Sequence, residues 1–543
     1  MALYCRILKN VLNLEQKILI VNNIINYLKK HNIAIVLIFV LSSLCFKLTY
    51  FQWNIPLTLD SLGYFFYASD IKIIEKLPDN YNLGNMGWSL FLSFIFKMFS
   101  FENTYYYMEV QKLTSIVLSS LTVIPIFYLC KKFFPLKFCI IGAMFFAFEP
   151  RILENSFLGS SDQLFLICSA SAITLYLSKN KKLILLSFIF AGIATVVRAE
   201  GLMLFFSFSL LCFIRFRNYK KSILQYLPNL LVFFIIIIPV LVYQHDMTGN
   251  DMIFGRLTNT ISYHATEYPN QESPSGIPFI LSGLENFPKY FGWVLVPIFI
   301  PYFLLGFYYF LKKFNLDKLM VLIIGIFIVL PLFYVYSIHI QETRYLFSLF
   351  PLIGLISLYS IQKIDERFKK TIILVGIASL ILISSISYLE LKSKVQYQDE
   401  AYQISLFVNQ NSKVINNFYP ISSYLEPIDI PINYIKFKDL FFESRTDGSQ
   451  TRSHLTRTIQ VIPMEEVHSL EKFILDNRYD GLTHVIVQEN DQSIFLLDVY
   501  NNEYSYPYLK KIMDTSLTYE KYKVKIFAID YKVFDKELSN FKE

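Results

Sequence analysis

The sequence predicts an α-helical polytopic membrane protein, with about 11 transmembrane helices and a C-terminal α/β domain in water. Three observations carry that expectation. Of 543 residues, 54% are hydrophobic and only 17% are charged, and the mean hydropathy is +0.42. A soluble chain needs a more polar surface than that. Long apolar runs alternate with short polar ones from residue 33 to about 390. Those short segments also alternate in their content of Lys and Arg, as loops on two sides of a bilayer do.

Residues 1–30 read as a helix lying on the cytosolic membrane surface. Ile7, Val11, Leu14, Ile18, Val21, Ile25 and Leu28 recur at spacings of four and three, with Lys9, Lys17, Lys29 and Lys30 as the basic complement. Glu15 and Lys17 interrupt the stretch, as the apolar core of a cleavable signal peptide would not allow.

Residues 31–390 hold the expected spans. These are Ile33–Phe51, Tyr107–Cys130, Phe138–Phe148, Leu164–Leu177, Leu183–Val197, Leu202–Phe216, Leu224–Tyr243, Gly292–Leu311, Leu319–Ile338, Leu346–Ile361 and Thr371–Leu389. A first outer loop covers 52–106, and a long outer loop covers 244–290 with Pro269, Pro274 and Pro278. The basic residues support this order. Lys131, Lys132, Lys179, Lys181, Lys182, Arg215, Arg217, Lys312, Lys313, Lys363 and Lys370 all fall on the side of the N-terminus, which is therefore cytoplasmic. Lys47, near the outer end of the first span, is expected to snorkel to the interface.

An odd number of spans places residues 391–543 outside the cytoplasm. There Ala401–Asn409 and Glu465–Asn477 read as helices. Lys413–Tyr419, Thr483–Gln488 and Tyr522–Tyr531 read as strands, which together suggest a small α/β domain. The six cysteines all precede residue 213, so no disulfide framework is expected in that domain. The net charge of +7 is spread over short loops. It forms no nucleic-acid footprint.

Ionisable residues are costly inside an apolar chain, so their positions carry information. Four clusters fall on the outer side: Asp60-Ser61-Leu62-Gly63-Tyr64; Glu149-Pro150-Arg151 through Gly159-Ser160-Ser161-Asp162; Arg198-Ala199-Glu200-Gly201; and Glu342-Thr343-Arg344-Tyr345. Asp60 and Asp162 each precede a helix, where a carboxylate also serves as a cap. Two carboxylates on two outer loops suit sharing a cation or activating an acceptor hydroxyl. Arg198 and Glu200 suit an ion pair closing a turn. The planar guanidinium of Arg344 suits a phosphate or an interfacial anchor.

In this order, the clusters resemble the membrane glycosyltransferases of the GT-C class. They are most similar to glycosyltransferase family 39, with its protein O-mannosyltransferases and lipid A aminoarabinose transferases. The likeness rests on Asp60, Tyr64 and Ala68 at helical spacing, on Gly87-Trp88-Ser89-Leu90, on Arg198-Ala199-Glu200-Gly201, and on Arg344-Tyr345 followed by Pro351. The stretch from Pro150 to Asp162 is similar to the second-loop acidic motif of oligosaccharyltransferases. The likeness covers roughly residues 33–390. A second acid beside Asp60 is missing, as is the Trp-Trp-Asp motif that reads sequons.

The resemblance implies transfer of a hexose or pentose from a polyprenyl-phosphate-linked sugar, with inversion, to a protein, lipid or glycan acceptor. It implies Asp60 and Asp162 as catalytic residues and as ligands of a divalent cation (Mg, Mn or Zn), should one be used. Tyr64, Arg198, Glu200, Arg344 and Tyr345 become substrate-binding residues, and membrane lipid rather than nucleic acid is the partner. Two other classes fit a multi-pass chain. A transporter would carry its charges near the midplane, and a sensor would read ligands with its outer domain. Here the charges gather at one face.

Overall fold

The computed structural model describes residues 32–53, 57, 59–77, 85–101, 104–215, 219–248, 277–295, 299–312, 314–340, 342–368, 371–393, 469–478, 484–489 and 494–540, with isolated positions at 400, 403, 404, 407 and 482. The expected surface helix of residues 1–30 and the expected strand Lys413–Tyr419 lie outside them, as does most of Ala401–Asn409.

The described chain is mostly helical. The first helices are α1 (Asn32–Thr49), α2 (Leu59–Ile74), α3 (Met86–Lys97), α4 (Thr104–Leu121), α5 (Val123–Phe133), α6 (Leu136–Ala147) and α7 (Pro150–Ser156). Then come α8 (Asp162–Tyr176), α9 (Lys181–Val197), α10 (Leu202–Arg215) and α11 (Tyr219–Thr248). They are followed by α12 (Ile277–Val294), α13 (Ile300–Lys312) and α14 (Leu316–Ser337). A 3-10 turn over Thr343–Leu349 leads into α15 (Phe350–Phe368) and α16 (Thr371–Ser393).

Among the described residues, six stretches are long and apolar enough to cross a membrane: Asn32–Thr49, Tyr106–Phe133, Tyr226–Asp246, Leu316–Ser337, Thr343–Phe368 and Ile372–Lys392. These helices are apolar on both sides. On α1, Ile35, Val36 and Val40 are buried while Ile33, Leu37, Ile38 and Leu41 are exposed. A helix greasy all round belongs in lipid, and the chain is an integral membrane protein. Of the remaining expected spans, those from Phe138 to Arg215 are helices too, but shorter than the ~20 residues a crossing takes.

Three expectations change. The long outer loop was expected over 244–290, yet α11 runs on to Thr248 and α12 begins at Ile277. The sequence signal missed is an amphipathic stripe: Ile280, Leu284, Phe287 and Phe291 repeat at helical spacing. The span expected over Gly292–Leu311 is accordingly divided, with α12 ending at Val294 and α13 starting at Ile300. Lys47 does not snorkel. It is 1% exposed, and its ammonium donates to Ser119 Oγ at 2.9 Å and to Ser120 Oγ at 3.4 Å on α4. Two hydroxyls on a neighbouring helix supply inside the bundle what the interface would have supplied.

The tail folds differently. Helix α17 (Leu470–Asn477), strand β1 (His484–Gln488), α18 (Ile494–Asn501), β2 (Leu509–Asp514), β3 (Val524–Ile529) and α19 (Tyr531–Asn540) follow one another. The strands form an antiparallel sheet in the order β1-β3-β2, with Ile486 opposite Ile526. Ser469 caps α17 by accepting from the Lys472 amide. One side of the sheet buries Val485, Val487 and Phe527 against Leu470, Ile474 and Phe534.

Candidate active site

The four charged clusters come together at one end of the bundle. Asp60 is the second residue of α2 and carries no capping role; it lies in the first turn. Its carboxylate meets Arg344, with Nη2 to Oδ2 at 2.8 Å. Arg344 belongs to the 3-10 turn before α15. Glu342 Oε2 lies 2.6 Å from Arg344 Nε, so the same guanidinium also meets a second carboxylate.

A second ion pair lies deeper. Asp162 is the first residue of α8, and Arg198 follows α9. Arg198 Nη1 contacts Asp162 Oδ1, while Nη2 reaches Glu200 Oε1 at 2.8 Å. Asp162 Oδ2 accepts from Asn155 Nδ2 at 3.1 Å and Ser160 Oγ at 2.8 Å. Gln163 Nε2 in turn donates to Asn155 Oδ1 at 2.8 Å. Burial alone would lower the basicity of Arg198; Glu200 and Asp162 outweigh it and hold the guanidinium above its ordinary range. The Tyr345 ring lies 5.2 Å from the same guanidinium, a cation–π contact.

The two pairs differ in strength. The side chains of Arg198 and Asp162 are 8% and 4% exposed. Breaking such a pair leaves a buried charge and costs about 3–5 kcal/mol. Asp60 is 54% exposed, and pairs of that kind contribute about 0.2–1 kcal/mol. The inner pair is therefore a fixed wall, and the outer one exchanges readily.

Tyr64 does not face open solvent. Its hydroxyl lies 3.4 Å from both Asn85 Nδ2 and Ser161 Oγ, between the two acidic loops. Gly159 sits in the second loop at φ +70°, a backbone shape that glycine adopts without strain. Its carbonyl accepts from Trp88 Nε1 at 3.0 Å and Gln111 Nε2 at 2.8 Å. Glu149 caps α7 from a buried position, accepting from the Ile152 amide at 2.7 Å. Burial pushes its carboxyl up to about 8.

A cleft opens between α8, α10, α14 and the 3-10 turn. Asp162, Arg198, Glu200 and Tyr345 line its polar part; Phe165, Leu204, Ile328, Pro331 and Leu332 line the apolar part. It encloses about 20 Å³, room for about one water. A larger occupant must part these walls.

The two expected cation ligands face different arginines, and a guanidinium beside each carboxylate opposes a second cation there. Among the described residues, no three of His, Cys, Asp and Glu converge on a metal position. The residues present do not fit a resident divalent cation. The charged residues that meet here, Asp60, Asp162, Arg198, Glu200, Glu342 and Arg344, all lie in clusters that the sequence singles out. Sequence reasoning missed the neutral amides Gln111, Asn155 and Gln163, which carry no charge signal.

The dolichyl-phosphate-mannose-protein mannosyltransferase family matches residues 85–243. That stretch holds Asp162, Arg198 and Glu200. Among solved structures, ArnT from Cupriavidus metallidurans bound to undecaprenyl phosphate superposes with a TM-score of 0.55 at 10% identity, over 91% of this chain and 98% of that one. The chain is similar to the GT-C glycosyltransferases of family 39. AglB, the oligosaccharyltransferase of Archaeoglobus fulgidus in complex with an inhibitory peptide and a dolichol-phosphate, gives 0.48 at 11% identity, over 89% of this chain and 73% of that one. At such identities the likeness concerns the fold. A search of the curated proteins finds no match.

Proposed function

We propose that the chain is a GT-C glycosyltransferase that moves a hexosyl or pentosyl unit from a polyprenyl-phosphate donor to an acceptor, on the extracytoplasmic face. One observation carries this reading: Arg344 joins the exposed carboxylate of Asp60 at 2.8 Å, and its neighbour Tyr345 lines a cleft with Asp162, Arg198 and Glu200 at its polar end and an apolar lining at the other. An anionic head would pair with Arg344 while its greasy tail meets the apolar lining. Arg344 supplies its guanidinium to a phosphate oxygen once the contacts to Asp60 and Glu342 exchange.

In this reading the lipid tail lies along Leu204, Ile328 and Leu332, and the phosphate takes Arg344 from Asp60. Asp60 is then free to accept the proton of the acceptor hydroxyl as that oxygen attacks the anomeric carbon. The bond from that carbon to the phosphate oxygen breaks, and direct attack inverts the centre. Arg344 stabilises the charge left on the phosphate. An oxyanion donor of this kind contributes about 2.7–4 kcal/mol. Asp162 holds Arg198 in place, and Arg198 with Tyr345 and Glu200 forms the wall facing the donor. Residues 31–390 form the catalytic unit, and 391–543 present the acceptor. The acceptor is a protein, lipid or glycan hydroxyl or amine.

The test uses the purified full chain with a panel of undecaprenyl-phosphate monosaccharides, following release of undecaprenyl phosphate. Wild type should turn over at least one. Asp60→Asn should fall below a hundredth of that rate while inserting normally. Arg344→Lys should lose about tenfold or more, because a point charge replaces a planar fork. Full activity in Asp60→Asn removes Asp60 from the chemistry.

A further inference from the structure

Gln111 lies on α4, outside the four charged clusters, and is 0% exposed. Its amide nitrogen carries two hydrogens, and each goes to a different segment. One donates to Ser61 O at 2.9 Å; the other donates to Gly159 O at 2.8 Å. Ser61 follows Asp60 directly. Gly159 begins the four-residue turn that ends on Asp162. A single planar amide thus ties the backbone beside one acidic residue to the backbone beside the other.

Neither carbonyl depends on Gln111 for a partner. Gly159 O already accepts from Trp88 Nε1 at 3.0 Å. Ser61 lies in the first turn of α2, where a carbonyl serves the helix's own ladder. Meanwhile Gln111 Oε1 is buried with no hydrogen-bond partner among the described residues. An aliphatic side chain would fill the same space without burying that oxygen. What only an amide adds is a fixed separation between two carbonyls.

We propose that Gln111 is a positioning residue: its amide sets the spacing between the Asp60 loop and the Asp162–Arg198 wall, and so aligns acceptor attack with the departing phosphate. The inference rests on the transfer reaction above. Reacting groups displaced by about 1 Å lose about 100-fold in rate, so the effect belongs on turnover rather than on donor binding, which uses Arg344 and Arg198.

The experiment uses the full chain and whichever undecaprenyl-phosphate monosaccharide wild type turns over. Gln111→Met keeps the length and removes both donors. Its kcat should fall about 10- to 100-fold while the donor KM stays within about twofold and thermal stability is nearly kept. Gln111→Glu supplies a second readout. As a carboxylate it faces two carbonyl oxygens and repels both; protonated, it donates to one. Its kcat should therefore fall as pH rises, along a limb that wild type lacks. Wild-type kcat in Gln111→Met overturns the inference, as does a loss that merely tracks unfolding. Should that variant not fold, a Gln111→Glu profile parallel to wild type overturns it equally. If wild type turns over no donor, the reading of the reaction fails and this inference with it.

Discussion

Arg344 serves two carboxylates in the resting structure: Asp60 at Nη2 and Glu342 near Nε. A lipid phosphate has to compete with both for one guanidinium. That makes the aspartate a competitor of the donor as well as its eventual base, and the two roles pull in opposite directions. Asp60→Asn should abolish transfer and yet bind undecaprenyl phosphate more tightly. The half-exposed pair contributes about 0.2–1 kcal/mol, so the gain is about 1.5- to 5-fold in Kd, read by titration of the purified chain. Arg344→Ala should instead lose binding. Equal or weaker binding by Asp60→Asn would show that the pair does not compete with the donor. At this scale the sequence was informative wherever a residue was charged, because a charge beside an apolar run has few other reasons to exist. Gln111, Asn155 and Gln163 gave no such sign. Gln111 lies 50 residues from Ser61 and 48 from Gly159, and only the packed bundle reveals what it joins.

Helices are legible in a chain like this because lipid demands unbroken apolar runs and closed backbone hydrogen bonding. The runs from Asn32–Thr49 to Thr371–Ser393 stand close to where the sequence put them. The failure at Ile277–Val294 has a physical source: a helix with Pro288 and a polar face of Ser282, Glu285, Asn286 and Lys289 reads as a continuation of a loop. Close approaches between helices are likewise invisible in sequence. A Cβ on Gly87 would lie 2.7 Å from the carbonyl carbon and oxygen of Val196 and 2.8 Å from the amide of Val197. Those are backbone atoms at the end of α9, immediately before Arg198, and they cannot rotate away. Gly87→Ala should push α3 off α9 and destabilise the chain by about 1–3 kcal/mol, with loss of transfer as Arg198 shifts. Gly376→Ala is the control. It meets nothing within 4 Å, and an alanine there is neutral or stabilising by about 0.4–1 kcal/mol. Half-lives of thermal inactivation for the purified variants measure both. Equal half-lives would mean that α3 and α9 have room to spare.

The molecule has two chemically different ends. At one, acidic loops meet two arginines. At the other, Lys132 pairs with Asp317 at 3.1 Å, Lys137 pairs with Asp365 at 2.5 Å, and Arg215 donates to the Tyr176 carbonyl at 2.9 Å. Arg215, the last residue of α10, thus binds carbonyls at the end of α8, and the two lysines pair with acids, at the end where the loop charges concentrate. Because Lys and Arg are retained on the cytoplasmic side, the proposed orientation puts the site end outside. The sheet domain follows α16, whose last turn is held at the site end by Lys392 to Glu154 at 3.0 Å and by Tyr388 Oη donating to Glu154 at 2.5 Å. Its β2–β3 turn presents Leu517, which is 98% exposed. In a cysteine-free background, Leu517→Cys should therefore react with a membrane-impermeant maleimide in intact cells. Lys181→Cys, exposed at the start of α9, should react only after the membrane is opened. Labelling in the reverse pattern would turn the chain over and put Asp60 in the cytoplasm, where the proposed outward-facing reaction has no place. Labelling of both positions from outside would mean an even number of crossings between them, and one of the short helices from α9 to α16 would then have to stay within a single leaflet.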